Sequence, residues 1–211
     1  MTPQNVKEFF ARLKKRNPEP KGELEYTNPY TLLVAAVLSA QSTDVGVNKA
    51  TRALFKVIRT PDDMVKLGEA RLKDYIKTIG LYNSKAKNIM GLSAALVEKY
   101  GSKVPQSLEE LVKLPGVGRK TANVVLNIAF GQPTIAVDRH IFRVSNRTGL
   151  ARGKTPEQVE EKLLEIVPPE YRQHAHHWLV LHGRYICKAR KPDCPACPVN
   201  DLCEYMDKTA G

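Results

Sequence analysis

The sequence predicts an all-α fold, on three observations. Apolar residues recur at helical spacing along most of the chain, no segment alternates with period two, and no Asn-Gly hairpin signal occurs. Taking the elements in order, Val6, Phe9, Phe10 and Leu13 make one face of an N-terminal helix, beside Lys14, Lys15 and Arg16. Docking on the rest of the protein explains that face more simply than binding to a membrane surface. Residues 17–22, rich in Pro and Gly, read as a linker. The apolar run 30–40 suits a buried helix better than a strand, given its length and alanines, and is too short to cross a bilayer. Val47, Ala50, Leu54, Val57 and Ile58 continue the period, with Ser42 or Thr43 as the cap. Leu67, Leu72 and Ile76 mark shorter turns before Gly80. Ala86, Ile89, Met90, Leu92, Ala95, Leu96 and Val97 then mark a helix ending near Tyr100-Gly101. A short helix at 108–113 is broken by Pro115, and from Thr121 the residues Ala122, Val125, Ile128 and Ala129 resume the period. A boundary falls near Gly131-Gln132-Pro133, followed by a further helix or two and a cysteine-bearing tail.

Composition narrows the function classes. At 42% hydrophobic and 26% charged, the 211 residues are neither a disordered nor a membrane-embedded chain. The N-terminal stretch has charges where a signal peptide needs an apolar core, so a cytosolic protein is expected, with no membrane partner. The net charge of +11 favours a polyanionic partner, because each Lys or Arg at a phosphate releases condensed counterions.

Two local patterns carry chemistry. Between the helices at 108–130 stands Gly116-Val117-Gly118-Arg119-Lys120, where glycines permit tight or left-handed backbone. The following helix begins with free N–H groups beside two basic residues, which suits a phosphate and carries no base information. An ordinary Gly-rich turn has the same spacing. The second pattern is Cys187, Cys194, Cys197 and Cys203, spaced C-x6-C-x2-C-x5-C. Two disulfides, a zinc site and an iron–sulfur cluster compete. The cytosol disfavours disulfides, and a single C-x2-C is unusual for structural zinc. Four thiolates in one compact loop suit a [4Fe–4S] cube, although the spacing is not that of ferredoxins. Arg184, Lys188, Arg190 and Lys191 surround the first ligand and offset the negative charge; Lys191 is a candidate phosphate contact.

The words Leu-Pro-Gly-Val-Gly-Arg-Lys-Thr-Ala at 114–122 closely resemble the helix–hairpin–helix motif of the endonuclease III glycosylase superfamily. The resemblance covers nearly the whole chain, including Leu-Ser-Ala-Gln-Ser-Thr-Asp at 38–44, Ile-Gly-Leu-Tyr-Asn-Ser-Lys-Ala at 79–86 and the spacing of the four cysteines. It implies a monomeric base-excision DNA glycosylase and abasic-site lyase, acting on oxidised pyrimidines in damaged duplex DNA, with a [4Fe–4S] cofactor. It also implies two helical lobes with DNA in the cleft between them. One lobe is 23–132, with the helix–hairpin–helix at about 108–128; the other is 1–22 plus 133–211.

Such chemistry needs one usable amine and one ionised carboxylate at the same sugar. The resemblance assigns the amine to Lys120, although locally Lys120 reads as a phosphate-binding surface lysine. The helix dipole and Arg119 favour the neutral amine that attack requires. It assigns the carboxylate to Asp138, which locally reads as a helix N-cap; the two roles are compatible. Arg139 departs from the threonine of many relatives. Gly116, Val117, Gly118, Arg119 and Arg143 are expected on the DNA; His140 is expected at the orphan base or the backbone, with a hydrogen-bonded helix residue as an equal reading. Gln41 and Leu81 match family loops that fill the space left by a flipped nucleotide, against the default of solvated glutamine and core leucine. Ser39 and Asp44 are candidate pocket residues. His176, His177 and His182 are left to packing. Two rivals stand beside this reading: a mono-functional adenine or mismatch glycosylase that activates water, and a non-catalytic DNA-binding module.

Overall fold

The computed structural model describes residues 1–210, and among them every regular element is an α-helix. The chain divides into two compact units, Glu23–Gly131 and a second formed by Met1–Gly22 with Gln132–Gly211.

The Glu23–Gly131 unit holds seven helices: α2 Pro29–Leu38, α3 Asp44–Val57, α4 Pro61–Leu67, α5 Glu69–Ile76, α6 Tyr82–Tyr100, α7 Leu108–Leu111 and α8 Arg119–Phe130. Helix α2 is its axis. Each of its residues from Tyr30 to Leu38 is buried, as expected of a helix apolar on all sides. Asn28 starts it with a capping box closed by Thr31, and Pro29 occupies the first turn, where its missing N–H costs nothing. Helices α3, α6 and α8 pack around it. Tyr30 binds Ser93 at 2.6 Å and so ties α2 to α6 inside the core.

Several boundaries differ from the periodicity. Thr43, not Ser42, caps α3. Val57 is more than half exposed although in phase, while Ile58 is fully buried just past the helix in extended backbone. Val97 also reaches solvent. Helix α7 is one turn, 108–111, and α8 starts two residues before Thr121.

The other unit contains α1 Pro3–Arg16, α9 Arg139–Thr148, α10 Pro156–Ile166 and α11 Pro169–Tyr185. Val6, Phe9, Phe10 and Leu13 are all buried, and α1 packs on α11. Phe10 stacks on Tyr171 with centroids 6.0 Å apart and tilts against Trp178 at 6.4 Å. The Trp178 indole N–H donates to the Asn17 carbonyl at 2.8 Å, closing the end of α1. The cysteine tail has no helix of its own and is held by the rest of the unit. Arg12 donates to the Pro198 carbonyl at 3.1 Å and pairs with Asp201 at 2.6 Å, and the Glu204 N–H reaches the Thr148 carbonyl.

Candidate functional site: a nucleic-acid interface with an amine and a carboxylate

The hairpin between α7 and α8 is shaped by its own residues. Leu114 and Val117 are buried, and the Val117 N–H closes the turn onto the Leu114 carbonyl at 3.1 Å. Gly116 has φ +75°, and a Cβ there would stand 2.7 Å from the Asn88 Cβ, so backbone and packing both demand glycine. Gly118 is not left-handed. It is the extended N-cap of α8, with open space where a Cβ would stand. No side chain caps α8, and an uncapped helix N-terminus is a place where an outside anion can bind. Arg119 and Lys120 are both exposed in that first turn. Lys120 has no hydrogen bond or ion pair among the described residues, so its amine is unencumbered.

In the other unit, Asp138 is the N-cap of α9. Its Oδ1 accepts from the backbone N–H of His140 at 2.8 Å and of Ile141 at 2.9 Å, which fixes the carboxylate and leaves Oδ2 without a partner. The His140 ring lies between two guanidinium groups, with Nδ1 3.2 Å from Arg143 and Nε2 3.4 Å from Arg139. Burial pushes this imidazole below its ordinary pKa, against the pull of Asp138. Arg143 is also engaged, donating to the carbonyls of Gly183 at 2.7 Å and Cys187 at 2.9 Å. Its guanidinium braces the start of the cysteine tail, which competes with the phosphate contact expected of it. Spacing cannot show this, because Gly183 and Cys187 approach only in the fold.

Two loops of the Glu23–Gly131 unit carry the other candidates. Gln41 and Leu81 are exposed, Leu81 by 61%, and both have positive φ, +55° and +60°. Each such residue costs roughly 1–2 kcal/mol in an L-chain. Lys191, a candidate phosphate contact in the other unit, has φ +49° and is also exposed. Ser102, which is no candidate, shares this left-handed backbone with φ +61°. Ser39 is the half-buried C-cap of α2, its hydroxyl donating to Ala36 at 2.8 Å, and Asp44 opens α3. Tyr82-Asn83-Ser84-Lys85 reads from sequence as the polar flank of an exposed loop apex, but these residues form the first turn of α6 and Lys85 is not exposed. It is buried to 5% exposure, and its ammonium donates to the Ser42 hydroxyl at 2.7 Å. The only hint was a lysine in phase with Ala86 and Ile89 on α6.

Cys187, Cys194, Cys197 and Cys203 are free, half-buried thiols. Burial pushes Cys197 up to about 11, and the other three thiols add to that push, so all four lie within electrostatic reach of one another. Backbone N–H groups of Val199 and Tyr205 work the other way on Cys197 and Cys203, in the sense that favours thiolate. The Arg147 guanidinium is 3.8 Å from the Cys187 sulfur, and it binds the Lys188 and Ala189 carbonyls at 2.7 and 2.9 Å. This is a donor set that fits an anionic iron–sulfur group. Among the described residues no three Cys, His, Asp or Glu side chains close around a single metal-ion position. A cube takes each thiolate on a different iron, so its ligands stand farther apart than those of one zinc. A cavity of about 400 Å³ lined by Met1, Arg152, Lys162, Glu165 and Glu204, among others, includes none of the candidate residues. No described helix is long and apolar enough to cross a membrane.

Comparison with known proteins adds independent findings. Residues 34–169 match the model of the HhH-GPD superfamily of base excision DNA repair proteins, and residues 187–203 match the iron–sulfur binding domain of endonuclease III. The chain is 58% identical to the endonuclease III of Rickettsia conorii, over 97% of this chain and 98% of that one. It is 59% identical to that of Escherichia coli, over 95% of each. Among solved structures, it resembles a trapped endonuclease III–DNA covalent intermediate, an estranged-adenine complex. There the TM-score is 0.90 and the identity 47%, covering 97% of this chain and 96% of that one.

Proposed function

Because this chain belongs to the endonuclease III family of helix–hairpin–helix base excision repair proteins, we propose that it is a DNA glycosylase and abasic-site lyase for oxidised pyrimidines in duplex DNA. The observation that carries the reading is Lys120, an exposed amine with no partner, in the uncapped first turn that follows the Gly-x-Gly hairpin. Backbone N–H groups of that turn, with Gly116, Val117, Gly118 and Arg119, hold a DNA phosphate without reading sequence. A damaged nucleotide turned out of the stack offers its sugar to the Lys120 amine and the Asp138 carboxylate. Gln41 and Leu81, held exposed on strained loops, fill the space it leaves.

As the bond between C1′ and the damaged base breaks, the base takes the electron pair and the sugar becomes positive. Asp138, oriented by two backbone N–H groups, stabilises that charge through its second oxygen. The Lys120 nitrogen forms a bond to C1′, and the C1′–O4′ bond breaks with O4′ taking its electron pair and the proton lost from nitrogen, which opens the sugar ring to an imine. The imine acidifies the C2′ proton. Its removal expels the 3′ phosphate with the C3′–O electron pair, and water then releases Lys120. The four cysteines hold an iron–sulfur cluster of the [4Fe–4S] type, which orders the tail and supplies no step in this chemistry. A bacterial enzyme of this class works on DNA in the cytosol.

A water-using glycosylase of the same fold is the second reading. It has no use for a free amine in the first turn of α8, and a related endonuclease III is known as a trapped covalent intermediate with DNA. Borohydride trapping on a duplex with one thymine glycol separates the two. A covalent adduct is expected with the native protein and none with Lys120→Ala. Base release without an adduct would establish the water-using enzyme, and an adduct from Lys120→Ala would remove Lys120 as nucleophile.

A further inference from the structure

The 39–43 loop and the loop before α6 lie 40 residues apart in sequence, and each displays one strained, exposed side chain. One residue grips both. The Lys85 backbone N–H donates to the Leu81 carbonyl at 3.0 Å, closing the first turn of α6 behind Leu81. Its buried side chain reaches the other loop, where the ammonium donates to the Ser42 hydroxyl at 2.7 Å. Ser42 in turn holds the Gln41 turn, its N–H donating to the Ser39 carbonyl at 3.0 Å. Ser42 is free for this because Thr43 caps α3 in its place.

A lysine at 5% exposure with one neutral partner and no carboxylate is an expensive choice for a position that only needs filling. Burial lowers its pKa, and nothing beside it offsets that shift. Leucine or methionine would fill the same volume at less cost. In some proteins a buried charge fixes one arrangement against others, and the link made by this one spans two loops with left-handed residues.

We propose that Lys85 is a positioning residue that locks the two loops together, so that Gln41 and Leu81 enter the duplex as one rigid wedge. This rests on the wedge reading of Gln41 and Leu81 given above. Without the Lys85–Ser42 link each loop keeps its place in the fold, but the two side chains lose their fixed separation and act independently.

The test is a double-mutant cycle read as excision rate from a thymine glycol duplex. The rate of abasic-site cleavage on a single strand, which has no stack to wedge, is measured in parallel. In the native background Gln41→Ala and Leu81→Ala are each expected to slow duplex excision at least tenfold, with the pair together much less than multiplicative. In a Lys85→Met background the duplex-to-single-strand ratio is expected to fall about tenfold, and the two alanine effects to multiply. Ser42→Ala breaks the same hydrogen bond without altering the buried lysine, and should do the same if Lys85→Met fails to fold. Visible absorbance and thermal melting report folding throughout. Unchanged coupling in both backgrounds would overturn the proposal while leaving the wedge intact. If Gln41→Ala and Leu81→Ala leave the duplex rate at its native value, the wedge reading falls, and the proposal with it.

Discussion

Asparagine caps a helix about as well as aspartate does, so Asp138→Asn and Asp138→Ala divide capping from catalysis. Asparagine retains an oxygen for the His140 and Ile141 N–H groups but offers no negative charge to a positive sugar. Asp138→Asn is therefore expected to melt near the native temperature while its excision rate falls by at least a hundredfold. Asp138→Ala should lose the same activity and also about 1 kcal/mol of stability from the missing cap. Single-turnover base release beside a denaturation curve checks both. An Asn variant with native kcat would leave Asp138 only a cap. Asp138, like Lys120, shows how far residue types alone reach. Its position before α9 was legible, because a polar residue ahead of a helical period is a capping signal. Its catalytic role came from the resemblance, since a cap and a catalytic carboxylate look alike in one sequence. Arg143 shows the limit: nothing nearby in sequence announces that its donors go to the carbonyls of Gly183 and Cys187.

The helix–hairpin–helix was the most legible element. Pro115 and two glycines punctuate two helical periods, and the buried Leu114 and Val117 fix the turn between them. Which glycine does what needed the structure. Gly116 is left-handed and presses on Asn88 of α6, whereas Gly118 is extended and open. Gly116→Ala is thus expected to cost at least 1–2 kcal/mol from φ alone, with further cost from displacing Asn88, and to weaken DNA binding at least tenfold. Gly118→Ala should keep native stability. Thermal melts and fluorescence anisotropy on a labelled abasic-site analogue duplex test the pair; equal stability losses would refute the distinction. Helix ends were the least legible elsewhere. Val57 and Val97 continue the period of α3 and α6 yet reach solvent, because period reports a face and not what covers it.

At the scale of the molecule, the cysteine tail has no helix, and its order depends on burying Val199 in the unit's core, on Arg12, Arg143 and Arg147, and on the group that the thiols hold. Cys194→Ser is expected to abolish the yellow-brown visible absorbance. Protease cleavage should then begin within 187–210, while the Glu23–Gly131 unit, with its separate core, resists longer. Stoichiometric zinc and no iron in an anaerobic preparation would refute the cluster. The net charge of +11 sets a second expectation, that binding to undamaged duplex weakens steeply with salt. For six to ten phosphate contacts the loss between 50 and 200 mM salt is about 10³–10⁵. A flat salt profile would contradict a phosphate-based grip.

The sequence by itself determined the helical class, the buried character of α2, the hairpin, the docking face of α1 and the four thiols. Each of these depends on residues close along the chain, where period, punctuation and residue type act directly. Tertiary structure alone decided that Gln41 and Leu81 sit on strained backbone, that Lys85 reaches Ser42 across 43 positions, and that Arg143 and Arg147 hold the cysteine tail. Those features depend on which distant groups the packed core brings within hydrogen-bond range. A buried charge or a left-handed leucine is stable only because the surrounding core fixes its place.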